Sequence, residues 1–229
     1  MHVRAVVFDW YATLAAPHPG DVWTSYPELI AAAGGHPDPA TITAWERGHP
    51  LEHTQHSGSE AAYRAWQRDR LGSLAAACGV HGHAREALLD HIDSLRYTRL
   101  FDVYPDVRPT LTELKARGLT VAVCSNWDWC LDRHLVHNGI DETLDAVVCS
   151  ATVGVRKPHP AIFDTLVERT GADPRETLFV GDNWHDDVLG ALAAGLTPVH
   201  IVRSGDCRTA EHDAIACVTE LGHVTTLCE

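Results

Sequence analysis

The chain has 229 residues, a mass of 25.0 kDa and a formal net charge of −13, from 18 Lys and Arg against 31 Asp and Glu. A chain this acidic gains little from a phosphate backbone, and no apolar run is long enough to span a bilayer, so we expect neither nucleic acid nor a membrane as a partner. The length allows one sizeable core, or a core with a smaller insert.

The amino-terminal residues and the cysteines both favour the cytoplasm. Residues 1–9 contain a short apolar run, but they lack the long apolar segment and the cleavage site of a signal peptide. The seven cysteines are odd in number and include no CxxC pair, so we expect reduced thiols. We interpret residues 1–9 as the buried first strand of a cytoplasmic protein.

Five short runs rich in Val and Ile predict the strands of a parallel sheet. They are residues 4–9, 119–125, 146–150, 177–181 and 198–202. Each run is almost wholly apolar rather than alternating, which is typical of strands buried on both faces. Helical patterns precede the second, fourth and fifth runs, at residues 107–117, 160–170 and 187–194. This alternation predicts an α/β fold with a Rossmann-like, doubly wound parallel sheet.

Residues 15–101 interrupt this rhythm. They contain no convincing buried strand, but they do contain helical patterns at residues 22–33, 42–47, 60–78 and 85–94. We therefore predict a core domain of residues 1–14 and 102–229, and an α-helical cap domain of residues 15–101 inserted after the first strand. Such an insert lies where open α/β sheets bind ligands, so we favour a lid over an inert decoration.

Polar residues lie where the predicted strands end, and these ends meet at one edge of a parallel sheet. They are Asp9 and Thr13 after the first strand, Ser125 and Asn126 at the end of the second, Lys157 just before a helix, and Asp182, Asp186 and Asp187 after the fourth. Asp9, taken alone, is more typical of a turn or helix cap. Together, these carboxylates, the hydroxyl and the ammonium can bind a divalent cation and an anion.

In this order and spacing, the segments DWYAT, SNWD, KP and GDNWHDD resemble the four motifs of the haloacid dehalogenase superfamily. The resemblance extends over nearly the whole chain, and the insert is similar to the helical cap of subfamily I. It implies a hydrolase in which Asp9 is the nucleophile, attacking phosphorus or carbon to form a covalent intermediate. Thr13 would position the loop, Ser125 would donate to a phosphoryl oxygen, and Lys157 would neutralise negative charge.

The resemblance also implies a magnesium site. Asp182 would bind Mg²⁺ together with Asp9 and the backbone carbonyl of Tyr11, and Mg²⁺ suits a set of oxygen ligands rich in carboxylates. We expect Asp187 to complete the outer shell. Because the family uses both spacings, Asp186 remains the alternative.

One position departs from the phosphatase pattern. Phosphatase members of the family carry a second Asp two residues after the nucleophile, which protonates the leaving oxygen, and here that residue is Tyr11. A phenol, with a pKa of about 10, is a poor general base near neutral pH, so Tyr11 weighs against an efficient phosphomonoesterase. The pattern is instead similar to that of the 2-haloacid dehalogenases, which need no metal and hold their substrate with a cap arginine. Arg47 and Arg64 are candidates for that arginine, although we favour a surface role for both.

We favour magnesium-dependent hydrolysis of a small phosphorylated metabolite, because clustered buried carboxylates call for a cation. The missing acid could come from Asp128, from a cap histidine or from a good leaving group. Metal-independent hydrolysis of a 2-halo acid is one alternative, and a non-catalytic binding protein is another. We expect substrate contacts from Ser125, Asn126, Tyr11 and Trp10, with core packing an equal alternative for Trp10. We expect a monomer or a homodimer.

Overall fold

The fold is described from a computed structural model, which covers residues 2–20, 24–48, 58–205, 207 and 215–228, without the side chains of residues 47 and 48. The chain divides into two compact units. The first consists of Met1–Ala16 and Phe101–Glu229, and the second of Pro17–Leu100.

The described residues contain eight strands. They are β1 (Ala5–Phe8), β2 (Ala15–Pro17), β3 (Phe101–Val103), β4 (Thr120–Ser125), β5 (Ala146–Cys149), β6 (Thr177–Gly181), β7 (Thr197–Ile201) and β8 (Ala216–Val218). Six of them form one parallel sheet in the order β5-β4-β1-β6-β7-β8, while β2 and β3 form a separate pair. The predicted α/β fold with a parallel sheet is confirmed, and the short β2–β3 pair is an addition to it.

Ten α-helices accompany these strands in the described residues. They are α1 (Tyr26–Ala32), α2 (Pro39–Gly48), α3 (Glu60–Ala77), α4 (Gly82–Thr98), α5 (Val107–Ala116), α6 (Leu131–His137), α7 (Ser150–Val153), α8 (Pro160–Thr170), α9 (Gly190–Ala193) and α10 (Gly222–Thr226). A π-helical turn, Trp184–Leu189, directly precedes α9. The sequence pattern predicts a helix over 187–194, which covers the second half of this turn and α9, and it does not predict α6 or α7.

Strand β1 lies at the centre of the sheet, with β4 on one side and β6 on the other. All four of its side chains are completely buried, which explains why the strand is uniformly apolar. Val7 belongs to an apolar cluster on one face of the sheet, together with Phe163 of α8 and Phe179 of β6. Burial of each such side chain stabilises the folded state by about 1.5–3 kcal/mol. The packing of β1 therefore fixes the position of the residue that follows it.

The second unit contains α1 to α4, and two of these helices, α1 and α3, begin with a serine cap. The Ser25 hydroxyl accepts from the backbone N–H of Glu28, whose carboxylate accepts from the N–H of Ser25 in return. Ser59 caps α3 through the N–H of Ala62. The helices enclose an apolar cluster of their own, formed by Leu29, Ile30, Trp45, Leu71, Leu74, Ala75, Cys78, Val80, Leu88, Leu89 and Ile92. No helix among the described residues combines the length and apolar character needed to cross a bilayer.

The cysteines differ from the expectation of uniformly reduced thiols. Cys207 and Cys217 form a disulfide, which links the segment after β7 to β8, so the expectation is wrong for this pair. The spacing of ten residues between them carries no recognisable sequence signal. Cys124 and Cys149 are free and buried, and burial raises the pKa of each to about 12. These two thiols stay protonated and pack as small apolar side chains.

Candidate active site

The site lies at the carboxyl ends of the three central strands. Phe8 of β1 pairs with Val123 of β4 and with Val180 of β6, so the residues that follow these positions come together at one edge. Asp9 follows β1 directly, and its backbone N–H donates to the Val180 carbonyl at 2.9 Å. Its carboxylate is therefore fixed at the centre of the sheet edge, and Ser125 closes β4 beside it as a buried residue.

Lys157 brings a positive charge to this edge. Its Nζ lies 2.6 Å from Asp9 Oδ1 and 2.6 Å from Asp187 Oδ1, and it donates to the Cys124 carbonyl at 2.9 Å. Only 2% of the residue is exposed. Burial lowers the pKa of Lys157, but the adjacent carboxylates of Asp187 and Asp9 outweigh burial and raise it. The side chain therefore remains an ammonium at any working pH.

Three carboxylates cluster at this edge, and two of them contact the ammonium of Lys157. Asp9, Asp182 and Asp187 each offer an oxygen, and these oxygens all lie within 4.8 Å of one another. Burial, reinforced by the charge of Asp9, raises the pKa of Asp182 to about 6. Burial also raises the pKa of Asp187, although the neighbouring Lys157 opposes that change. With all three acids ionised, the group carries two negative charges more than Lys157 can neutralise.

This arrangement fits a divalent cation. The donors are carboxylate oxygens alone, which suits Mg²⁺, and a bound Mg²⁺ would neutralise the two unbalanced charges. Asp187, rather than Asp186, lies with Asp9 and Asp182. The carboxylate of Asp186 instead accepts from Asn126 Nδ2 at 3.1 Å. The backbone carbonyl of Tyr11 stays a prediction as a further ligand.

The π-helical turn Trp184–Leu189 delivers Asp187 into the site. The turn is capped by Asn183, whose side chain accepts from the N–H of Asp186 at 2.9 Å. Asp187 Oδ2 in turn accepts from the backbone N–H of Asn183 at 3.0 Å. A Cβ at Gly181 would lie 2.4 Å from the Asp187 side chain, so only glycine leaves room for this carboxylate. π-Helical turns are frequent at functional sites, and this one carries a proposed ligand.

The loop after Asp9 is tightly folded. The backbone N–H groups of Leu14 and Ala15 both donate to the Trp10 carbonyl at 2.9 Å. Ala12 adopts a φ of +57°, a left-handed conformation that costs a non-glycine residue about 1 kcal/mol or more. The buried Thr13 hydroxyl donates to Asp182 Oδ1 at 3.3 Å. This hydrogen bond connects the loop to the cluster of three carboxylates.

Asn126 has a contact pattern that sequence reasoning did not foresee. Its Oδ1 accepts from the backbone N–H of Lys157 at 2.7 Å, and its Nδ2 donates to the Lys157 carbonyl at 3.0 Å. The side chain thus fixes both sides of the residue that carries the ammonium. Its expected role as a substrate contact stays a prediction, and its described hydrogen bonds hold the backbone of Lys157.

Two neighbouring aromatic residues differ in exposure. Trp10 is fully buried and stacks on His134 with ring centroids 6.2 Å apart, which favours core packing for Trp10. Tyr11 is 37% exposed and stacks on Trp127 at 6.1 Å, with Phe101 edge-on to both rings. Tyr11 is therefore the aromatic side chain of the loop that a substrate can reach.

Arg64, one of the two arginines considered for a dehalogenase-type clamp, makes its described contacts within the helical unit. Arg64 forms an ion pair with Asp93, and its guanidinium lies 4.8 Å from the centre of the Tyr97 ring. All three residues belong to the helical unit, and the contacts are those of a partly exposed helix surface. The side chain of Arg47 lies outside the described residues.

Comparison with known proteins agrees with the motif order. Residues 3–195 match the haloacid dehalogenase-like hydrolase family. The chain is 32% identical to the (S)-2-haloacid dehalogenase 4A of Burkholderia cepacia over 207 residues, covering 89% of this chain and 85% of that protein. It is 33% identical to the phosphoglycolate phosphatase of Yersinia pestis over 199 residues, covering 84% and 78% of the two chains.

A solved structure shares the fold at lower identity. The L-2-haloacid dehalogenase of Xanthobacter autotrophicus superposes with a TM-score of 0.63 and 24% identity, covering 98% of each chain. The relatives thus include both dehalogenases and phosphatases, which are all hydrolases. The family match over most of the chain confirms the resemblance, and the chain belongs to the haloacid dehalogenase-like hydrolases.

Proposed function

We propose that the protein is a magnesium-dependent phosphatase acting on a small phosphorylated metabolite. The observation that carries the proposal is the cluster of Asp9, Asp182 and Asp187, which has the ammonium of Lys157 in contact with two of its three acids. Without a cation, two unbalanced negative charges would repel any anionic substrate at this edge of the sheet. A divalent cation would remove that repulsion and, when bound, would withdraw charge from the transferring phosphoryl group.

The residues present can carry out the transfer in two steps. An oxygen of the Asp9 carboxylate attacks phosphorus, the bond from phosphorus to the leaving oxygen breaks, and an aspartyl phosphate forms. Water then attacks that phosphorus, which releases phosphate and restores Asp9. Lys157, at 2.6 Å from Asp9 Oδ1, would stabilise negative charge in both steps, and we expect the buried Ser125 hydroxyl to donate to a phosphoryl oxygen.

The identity of residue 11 narrows the choice of substrate. Phosphatases of this family use an aspartate here to protonate the leaving oxygen, and this chain has Tyr11. A leaving group of low basicity, such as the carboxylate released from an acyl phosphate, needs no such proton. We therefore propose a substrate with a good leaving group. Asp128 remains a candidate for the missing acid in reactions of ordinary esters.

Hydrolysis of a 2-halo acid is the second candidate, and two observations favour it. Tyr11 stands where the dehalogenases of the family carry tyrosine, and the (S)-2-haloacid dehalogenase of Burkholderia cepacia matches over 89% of this chain. Halide needs no proton to leave. The same pair of Asp9 and Lys157 would serve this chemistry, with Asp9 attacking carbon and water then cleaving the ester.

A panel of substrates, each tested with magnesium and with a chelator, separates these functions. We expect phosphate release from acetyl phosphate or from an aryl phosphate only with magnesium, and none from Asp9→Asn. The matched control is Asp164→Asn, an aspartate of α8 that is exposed and stands apart from the four motifs. Halide release that the chelator leaves unchanged would reject the phosphatase proposal. If no substrate releases phosphate or halide and no magnesium binds, the result would favour a non-catalytic binding protein with the same fold.

Asp128→Asn addresses the general acid separately. If Asp128 supplies the proton, the variant loses about a hundredfold or more on an alkyl phosphate and little on an acyl phosphate. Equal rates for both proteins on both substrates would eliminate Asp128.

A further inference from the structure

We propose that Arg203, which follows β7, is a positioning residue for the loop that carries the nucleophile. Its Nη2 and Nε both donate to the Thr13 carbonyl, at 2.6 and 3.1 Å. Arg203 stands 190 positions from Thr13 in the chain and lies outside the four motifs. The inference rests on the proposed function only in assuming that the loop is catalytic, and it holds equally for transfer from phosphorus or from carbon.

The guanidinium of Arg203 is itself held on two further sides. Its Nη1 pairs with Asp106 Oδ2 at 2.6 Å, and the same oxygen accepts from the backbone N–H of Leu221 at 2.8 Å. Its central carbon lies 4.1 Å from the centre of the Tyr104 ring. The Arg203 side chain is only 11% exposed, so these contacts are sheltered from water. A charged fork held in this way fixes the direction of the carbonyl that it binds.

The direction of the Thr13 carbonyl affects the other groups of the same loop. The Thr13 hydroxyl donates to Asp182 Oδ1, and Ala12, one residue earlier, sits in a strained left-handed conformation. Such a conformation persists only where surrounding contacts hold it. Arg203 restrains the loop backbone from outside the loop. Tyr104 restrains it further, because its backbone N–H donates to the Leu14 carbonyl at 3.0 Å. Released from Arg203, the peptide after Thr13 can rotate, and the Thr13 hydroxyl and the Tyr11 carbonyl lose their alignment.

The test compares Arg203→Met and Arg203→Lys with the matched control Arg117→Met. Arg117 also donates to a backbone carbonyl in the same unit, that of Thr225 at 2.7 Å, and it pairs with Glu113, but it directly follows α5 and neither contact involves the loop. We expect Arg203→Met to lower kcat by about a hundredfold with KM nearly unchanged, because displacement of catalytic groups by about 1 Å has that effect. Arg203→Lys should recover part of the loss, since lysine keeps the charge but not the fork. Arg117→Met should keep kcat within about threefold of the unaltered protein.

A second readout needs no substrate. We expect hydrogen exchange at the amides of Leu14 and Ala15, which donate to the Trp10 carbonyl, to become about tenfold faster in Arg203→Met and to stay unchanged in Arg117→Met. Unchanged exchange at these two amides would overturn the inference whatever the reaction is. If the protein releases halide rather than phosphate, the kcat comparison is made on halide release, so failure of the proposed function is told apart from failure of the inference. Equal losses of kcat in Arg203→Met and Arg117→Met would also reject a positioning role.

Discussion

The raised pKa of Asp182 predicts that pH acts on stability in opposite directions with and without magnesium. Burial and the charge of Asp9 raise this pKa from 3.8 to about 6, so between these values the folded protein holds a proton that the unfolded chain has released. The stability that this proton provides is present below pH 4 and is lost as pH rises through about 6. In chelator, Asp182 therefore contributes a fall in the free energy of unfolding as the pH rises.

The size of this effect follows from the difference in pKa. A change from 3.8 to about 6 corresponds to about 3 kcal/mol, and because Asp182 is only half-buried, solvent screening reduces the expected effect to about 1–2 kcal/mol. For a chain of this length that is about 2–8 °C in Tm. With magnesium the sign reverses, because the metal binds the ionised carboxylate, and a concentration a hundred times Kd adds about 2.7 kcal/mol.

His134 makes a comparison between variants necessary. Burial, with a contribution from His137, lowers the pKa of His134 from 6.5 to about 4, so the unfolded chain binds a proton there that the folded protein does not. Stability from His134 is present above pH 6.5 and is lost as pH falls, which opposes the effect of Asp182. The measurement is therefore urea unfolding from pH 4.5 to 7.5 of the unaltered protein and of Asp182→Asn, each in chelator and in magnesium. Parallel curves for the two proteins would refute the reasoning.

Substitutions at three further positions test the site. Gly181→Ala should displace the Asp187 carboxylate, lowering the free energy of unfolding by about 1–3 kcal/mol in urea titrations and abolishing magnesium binding by calorimetry. Lys157→Met should cost about 3–5 kcal/mol in chelator, because Asp9 and Asp187 lose their buried counter-ion, and magnesium should restore part of that loss in the same titration. Tyr11→Asp should raise turnover of alkyl phosphates by about a hundredfold in a phosphate-release assay, whereas Tyr11→Phe should not.

The fold was predictable because its central strands are buried on both faces. The residues of β1, β4 and β6 are almost wholly apolar, so the sequence allows few structures other than buried strands. The aspartates that directly follow β1 and β6 then stand out as polar residues. The pair β2–β3 has only three residues in each strand, too few for any periodic pattern. The helix expected after β6 is a π-helical turn at its start, because Asp187 must reach back to the N–H of Asn183.

The motif residues of the site were predictable from the sequence, but the hydrogen bonds that hold their backbone were not. Asp9, Lys157 and Asp182 carry chemistry that limits the residue type, so their order along the chain identifies them. Asn126 and Arg203 act on backbone groups, through hydrogen bonds across 31 and 190 positions, and neither spacing leaves a trace in the sequence. A hydrogen bond to a backbone atom does not restrict the type of the residue that carries that atom, so only the structure reveals such contacts.

The two chemistries represented among the relatives place opposite demands on the same carboxylates. Asp9 with Lys157 alone would be a neutral pair, and a halo acid could approach it without a metal. Asp182 and Asp187 add negative charge to that neutral pair. Without a cation, an anionic substrate can bind only when these two acids are protonated. Their raised pKa values permit protonation on the acidic side of neutrality. A phosphate ester with magnesium needs both acids ionised. The presence of two acids beside Asp9, one buried and one half-buried, is therefore an argument for a cation at neutral pH. Tyr11 bears on the kind of leaving group and not on whether a metal binds.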